Sequence, residues 1–315
     1  MNAVREIRTT LANSATPNLG FGTGHLGSKV NRQQSVELLR AAFEAGIRYF
    51  DTARLYGQGS AEHFIAEALG RSRQDIILAS KAGIIPWRSL TAQRVAGKLN
   101  KLLLRKSPAI DNKYNAFSIK ELTSSLHTSL KALQTDYLDI LLLHECTLED
   151  AQRDDLRAWA EGLKKSGKIR CFGTAAVGSD SNDILAAPPN HINIMQCPDS
   201  LNTPADLPSQ MVNDPSWFFV THSHLAQVLP SHTESNQLSD NIRSFLEEYG
   251  VTDVRIQDLA ALLIKLGCAR NPNGVVLFSA SSTERLRSTI RDVCDNKHSN
   301  SQILEIAEGL RRLTA

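Results

Sequence analysis

Three apolar runs in this chain each end on an ionisable side chain. Ile47 to Phe50 leads to Asp51, Ile76 to Ser80 leads to Lys81, and Leu138 to Leu143 leads to His144. Tyr56 follows Asp51 in the next loop. A phenol has an ordinary pKa of about 10, too high for an efficient acid near neutrality unless something stabilises the phenolate. A neighbouring ammonium does that. Lys81 beside Tyr56 would lower its pKa by charge attraction, Asp51 would hold Lys81 charged and in place, and His144 would donate a hydrogen bond to a carbonyl oxygen. Such a set suits protonation of an alkoxide as it forms. Taken singly, each residue has a plainer reading: a structural salt bridge, a loop anchor, a satisfied core histidine. Their common position argues for chemistry, because residues just past the carboxyl ends of neighbouring strands in a parallel α/β barrel meet at one mouth.

The elements that would carry them alternate along the chain. Strand-like runs occur at Asn18 to Gly24, Ile47 to Asp51, Ile76 to Lys81, Tyr137 to His144, Ile169 to Gly173, Ile192 to Gln196, Trp217 to Thr221 and Gly274 to Phe278. Helical periodicity lies between them. Asn31 caps one helix, Ser60 begins another, and Ser118 with Glu121 makes a capping box for a helix with Leu122, Leu126, Leu130 and Leu133 on one face. Leu156 to Leu163, a short stretch near Ile184, Gln257 to Leu266 and Thr283 to Val293 continue the pattern. Eight strand–helix units in 315 residues predict an α/β fold, a single (β/α)8 TIM barrel over 1–315. The amphipathic stretch with Ile303, Leu304, Ala307, Leu310 and Leu313 has no strand after it and predicts an extra C-terminal helix, packed outside the barrel or across its bottom. The segment from Gly83 to Phe117 reads as a long functional loop over the mouth.

Composition narrows the partners. With 35 Lys and Arg against 33 Asp and Glu there is no basic stripe for nucleic acid, and no apolar stretch approaches the roughly 20 residues of a membrane helix. The five cysteines have no Cys-x-x-Cys spacing, which fits buried thiols better than disulfides or a zinc site, and His222 with His224 has no third ligand nearby. The charged amino terminus lacks a secretory signal. The expectation is a cytoplasmic protein acting on a small molecule, with no nucleic-acid partner, no membrane and no metal.

Gly22-Thr23-Gly24-His25-Leu26-Gly27 matches the dinucleotide fingerprint G-x-G-x-x-G, with Asp51 at the end of the next strand. Ser28 to Arg32 nevertheless separate the last glycine from the helix, whereas that fold needs the glycine inside the first helical turns. The glycines read better as a βα loop at a barrel mouth.

At these residues the sequence resembles the aldo-keto reductase family. The resemblance runs through Gly46 to Ala53 with Tyr56-Gly57 and Glu62, Lys81, Tyr137 to His144, Gly167 to Gly173, and Ser279 to Thr289. It implies a barrel that interconverts a carbonyl and an alcohol with NADP(H), hydride passing from the nicotinamide while the tyrosine exchanges the proton. Asp51, Tyr56, Lys81 and His144 match the family's catalytic tetrad. Gly22, Thr23, Gln196, His222, Ser223, Leu225, Ser279, Ser281, Ser282, Arg285 and Thr289 fall at its cofactor positions, with Arg285 at the adenosine 2′-phosphate, and Trp87 would be a substrate wall. The chain departs from the pattern in several places. Ala175-Ala176 replaces the Ser-Asn that holds the carboxamide, and His222-Ser223-His224-Leu225 replaces a Tyr-Ser-Pro-Leu-like run. Pro230 to Thr233 stands where a Gly-rich segment is usual, Ser279 where lysine is common, and Thr289 where asparagine is. Those departures leave open a second reading, a catalytically weak barrel serving as a binding or regulatory subunit.

Overall fold

A computed structural model describes residues 3–16, 18–86, 117–205, 207–225, 240–251, 256–295 and 297–314. Trp87, Pro230 to Thr233 and most of the expected mouth loop lie outside the described residues. Eight strands form one closed barrel in sequence order, every neighbour parallel. They are β1 (Leu19–Gly22), β2 (Tyr49–Asp51), β3 (Ile77–Ala82), β4 (Leu138–His144), β5 (Ile169–Ala175), β6 (Ile194–Pro198), β7 (Phe218–His222) and β8 (Val275–Phe278). The (β/α)8 expectation holds, and a Rossmann arrangement is excluded because its sheet stays open.

Several strand ends sit later than the apolar runs suggest, because turns capture the first amides. Ile192 N–H donates to Pro189 O at 3.0 Å and Trp217 N–H to Asp214 O at 3.2 Å, so the ladders of β6 and β7 begin beyond them.

Two apolar layers separate by strand parity. Tyr49, Ile77, Ala79, Ile140, Leu142, Cys171, Ile194, Phe218, Val220, Val275 and Leu277 fill the barrel interior. Their alternates, such as Phe50, Leu78, Leu141, Phe172, Met195 and Phe219, pack outward beneath the helices. Those helices include α2 (Arg32–Glu44), α3 (Ser60–Leu69), α4 (Ile119–Leu133), α6 (Asp154–Lys165) and α7 (Gly178–Ala186), the first capped by Asn31 accepting from Gln34 N–H. The N-cap expected before α4 forms, but not the full box: Ser118 Oγ accepts from Glu121 N–H at 3.3 Å and donates to its carboxylate at 2.6 Å. Short α5 (Leu148–Gln152) and α8 (Ser209–Asn213) fill connections.

The bottom of the barrel is closed by an element the sequence reading did not anticipate. Helix α1 (Ala3–Ala12) sends Val4, Ile7 and Leu11 into the interior layer. The C-terminal helix α12 (Asn300–Thr314) therefore lies outside, where Ile303, Ile306, Ala307 and Leu310 pack with α9 (Asp240–Glu248) and α10 (Ile256–Arg270) in a third apolar cluster. Helix α10 runs past Leu266 through Gly267, which faces the His224 ring so closely that a Cβ would stand 2.5 Å from Cε1. Helix α11 (Thr283–Cys294) follows β8.

Candidate active site

Parity delivers the site. Positions sharing the inward face with the interior layer, one step further toward the carboxyl ends, are Gly22, Asp51, Lys81, His144, Ala175, Gln196, His222 and Ser279, and all eight line one pocket of about 400 Å³ at that mouth. The ladders align them: His144 pairs with Ala175, Ala175 with Gln196, and Pro198 with His222.

At the pocket floor, Lys81 Nζ donates to Asp51 Oδ2 at 2.6 Å, to Thr52 O at 3.1 Å and to the Tyr56 hydroxyl at 3.2 Å. All three donor hydrogens of the ammonium are used, so its direction is set. Asp51 and Lys81 are each 2% exposed. The Tyr56 and His144 rings meet edge to face, centroids 6.0 Å apart.

Burial dominates the electrostatics. It pushes Asp51 up, against the pull of Lys81 and then of Gln196. Burial lowers Lys81, but Asp51 and Tyr56 together outweigh it and the ammonium keeps its proton more firmly than a free lysine. For Tyr56, burial raises the pKa more than Lys81 lowers it, so the phenol stays protonated through neutrality. The attraction expected from Lys81 is present, yet the net shift runs upward because the hydroxyl is taken out of water. His144 falls to about 3 through burial, Lys81 and His222. His222 falls to about 4 through burial, Lys81 and His224. Both imidazoles are neutral at ordinary pH.

The loops that hold these groups are locked by close approach. Gly27 and Gly57 both have positive φ, and a Cβ on Gly57 would stand 2.5 Å from Leu26 O. Gly27, the last of the fingerprint-like glycines, thus holds the β1 loop against the turn that carries Tyr56, a packing role that only glycine's missing side chain and left-handed freedom permit. Thr23 is fully buried and does not line the pocket; its hydroxyl and its N–H both donate to Asp51 O, at 2.9 and 3.0 Å. Glu145 and Ser223, directly after the last residues of β4 and β7, also take left-handed φ of 54° and 65°.

The other expected residues divide. Gln196, Ser223 and Leu225 line the pocket, and Ser223 Oγ lies 2.7 Å from His222 Nδ1. Gln196 Oε1 is buried without a hydrogen-bond partner among the described residues. Ser281, Ser282, Arg285 and Thr289 lie beyond the pocket, at the start and along the first turns of α11; Ser282 Oγ caps that helix by accepting from Arg285 N–H at 3.2 Å. Arg285 is exposed and makes no ion pair among the described residues. Sequence reasoning missed Gly24, His25, Glu145, Val177, Ile264 and Phe278 as pocket residues. For Glu145 the available signal was its place directly after His144. His25 Nδ1 meets Ser279 Oγ at 3.1 Å, joining the β1 and β8 loops at the rim.

A closed eight-stranded parallel barrel with buried Asp51, Lys81 and His144 meeting a half-buried Tyr56 at its carboxyl mouth defines the class of protein. The model of the "Aldo/keto reductase family" matches residues 18–195, more than half of the chain, and the chain belongs to that family. Among curated proteins it is 33% identical over 159 residues to "Uncharacterized oxidoreductase YqkF" of Bacillus subtilis, a match covering 50% of this chain and 44% of that one. The chain thus spans about half the length of the curated relatives it matches. The solved aldo-keto reductase AKR11C1 of Bacillus halodurans, in its holo form, superposes with a TM-score of 0.67 at 23% identity, covering 93% of this chain and 91% of its own. An aldo-keto reductase of Klebsiella pneumoniae in complex with NADPH superposes at 0.63 with 21% identity, covering 94% and 91%. At these identities the superpositions establish the fold. Among the described residues no helix is long and apolar enough to cross a membrane, and no cluster of His, Cys, Asp and Glu could hold a metal ion.

Proposed function

We propose that this protein is an NADP(H)-dependent oxidoreductase that reduces an aldehyde, ketone or sugar carbonyl, or oxidises the corresponding alcohol, with Tyr56 as general acid and base. The observation that carries the reading is the Lys81 ammonium held by Asp51 while it donates to the Tyr56 hydroxyl, all beside a pocket walled by a neutral His144.

The residues present fit the cofactor. Gln196 Oε1 is a buried acceptor lacking a donor, which the amide of a nicotinamide supplies, and His222 is a ring at the pocket wall in reach of Ser223. Gln196, His222, Ser223 and Leu225 would hold the nicotinamide end, and Ser279, Ser281, Ser282, Arg285 and Thr289 the adenosine end. Gly22 contributes bare backbone to the pocket, and Thr23 acts at one remove by bracing Asp51. When bound, the cofactor supplies or accepts hydride at the carbonyl carbon.

The protein's own part is proton handling. As charge develops on the substrate oxygen, Tyr56 gives its proton and Lys81, already hydrogen-bonded to the phenol oxygen, stabilises the phenolate. The raised Tyr56 pKa does not oppose this, since an alkoxide is far more basic than a phenolate and the acid arrives fully protonated. His144, neutral, polarises the carbonyl through an N–H rather than donating a proton outright. In the oxidative direction the phenolate takes the alcohol proton.

The test is turnover of a panel of aldehydes, ketones and sugars with NADPH, and of alcohols with NADP, followed at the nicotinamide absorbance. Reduction of at least one class, lost in Tyr56→Phe, is the expected result. Ala175, which presents only a methyl to the pocket, favours the second reading of a binding or regulatory barrel. Tight NADPH binding with no turnover across the panel would select it.

A further inference from the structure

Among the described residues lining the pocket, the charges nearly cancel. Asp51 and Lys81 neutralise one another at the floor, and burial holds His144, His222 and His224 neutral. His25 at the rim is also shifted down, by burial and by Lys29. What is left among the lining residues is one carboxylate, Glu145, which is exposed and makes no ion pair among the described residues.

Its placement is held by the backbone. Glu145 has φ 54°, a left-handed conformation that is unfavourable for a non-glycine residue and persists only where the surroundings impose it. The surroundings here are the β4–β5 ladder, which continues into the bond from Glu145 N–H to Ala175 O at 2.7 Å. Glu145 is therefore anchored one residue beyond His144, at the mouth through which a carbonyl compound must reach Tyr56. Its charge also contributes to raising the Tyr56 pKa, so the carboxylate acts across the open space on the phenol. Among the described residues, the lining beside Tyr56 carries no second unpaired acidic side chain. A Cβ on Gly24 would lie 3.9 Å from Tyr56 Cζ, so no side chain at that position covers the ring, and Val177 beside the mouth is apolar.

We propose that Glu145 is a specificity-determining residue that sorts carbonyl substrates by charge, favouring those with a cationic group near the carbonyl and rejecting those with a carboxylate there. The inference rests on the oxidoreductase reading and names the substrate class of that same pocket. A fixed charge several ångströms from a bound ionic substituent in a half-exposed mouth changes kcat/KM by about tenfold in either direction, and salt weakens it.

The test uses three para-substituted benzaldehydes reduced with NADPH by the full chain: trimethylammonio (cationic), nitro (neutral) and carboxy (anionic). Comparing enzymes rather than substrates cancels the intrinsic reactivity of each aldehyde. Expected is a cation-to-anion ratio of kcat/KM that falls by about tenfold or more in Glu145→Gln, is retained in Glu145→Asp, and shrinks in the parent as ionic strength rises. A purely structural role would move all three aldehydes together. An unchanged ratio in Glu145→Gln, or equal loss in Glu145→Asp and Glu145→Gln, overturns the charge filter while leaving the reductase reading intact. If the parent reduces none of the three nor any aldehyde of the wider panel, the reductase reading falls and the filter with it.

Discussion

The four ionisable residues at the mouth divide their work by environment. Tyr56 and His144 share a wall, yet one is held protonated and the other neutral with a pKa of about 3, so in the proposed mechanism the acid and the polariser are distinguished by what burial does to each group. Tyr56→Phe removes only the transferable proton. Reduction should drop by about 10² to 10⁴ in kcat while NADPH affinity and thermal stability stay at parental values. Parental turnover in the purified variant would falsify the proposed acid. The pH dependence has a definite sign. Reduction needs the protonated phenol, so its rate stays flat through neutrality with no acidic limb near pH 6 from His144. Oxidation needs the phenolate and so climbs with pH past the ordinary phenol range. Lys81→Met removes the charge that pulls the Tyr56 pKa down, moving the oxidative rise to still higher pH. A stopped-flow pH profile identical in parent and variant would make Lys81 a structural residue only.

At the scale of elements, each strand supplies one inward position to the mouth and one outward position to the helical layer, and the consequences of substitution follow that parity. Ala175, at the end of β5, faces the pocket, whereas Ala176 is buried against the outer layer with Phe172 and Ile184. The two alanines that replace the expected Ser-Asn pair are therefore not equivalent here. Ala175→Ser would place a hydroxyl beside the proposed carboxamide position, and one hydrogen bond to the cofactor worth on the order of 1 kcal/mol should tighten NADPH about fivefold. Ala176→Asn forces an amide into packed apolar space and should destabilise the barrel by about 1 to 3 kcal/mol. Equal affinity in Ala175→Ser, measured by fluorescence titration, would mean that backbone or His222 already orients the carboxamide. Helix α1 has a comparable dependence on depth. Ile7 is 1% exposed in the interior layer, and Ile7→Ala should cost about 2 to 5 kcal/mol in chemical denaturation. A loss under about 1 kcal/mol would show that the bottom of the barrel closes without this helix.

For the whole molecule, the cofactor reading ties the two ends of the chain together. The β1 loop and the β8–α11 connection meet at the rim through His25 and Ser279, and the amino terminus of α11 lies beside Ser281, Ser282 and Arg285, which makes no ion pair among the described residues. Amides at a helix amino terminus favour an anion and a guanidinium matches phosphate geometry. Among the described residues, the exposed Arg285 forms none of the carboxylate pairs that would give it a merely structural role. Arg285→Ala should weaken NADPH by about tenfold or more and leave NADH within about twofold, because only NADPH carries the 2′-phosphate. Equal losses for the two cofactors by titration calorimetry would remove the phosphate assignment.

How much of this was legible beforehand depends on range. Apolar runs ending at Asp51, Lys81 and His144, caps at Asn31 and Ser118, and the strand–helix alternation are local signals, written in neighbours a few residues apart, and they sufficed for the eight-unit barrel and for its central four residues. Helix α1 was not legible as a plug, because Val4, Ile7 and Leu11 show an apolar stripe without saying that the stripe faces the far end of eight strands. Gly267 and Gly27 read as breaks in a pattern, and only the approach of the His224 ring and of Gly57 gives them their reason. The net direction of the Tyr56 shift was likewise out of reach. A sequence names the charges that will meet, but desolvation is a property of everything packed around them, and here it outweighs the nearest ammonium. The same holds for Glu145: its residue type is local, whereas its standing without an ion pair among the described residues of the mouth comes from the mutual neutralisation of groups on separate strands that only the closed barrel brings together.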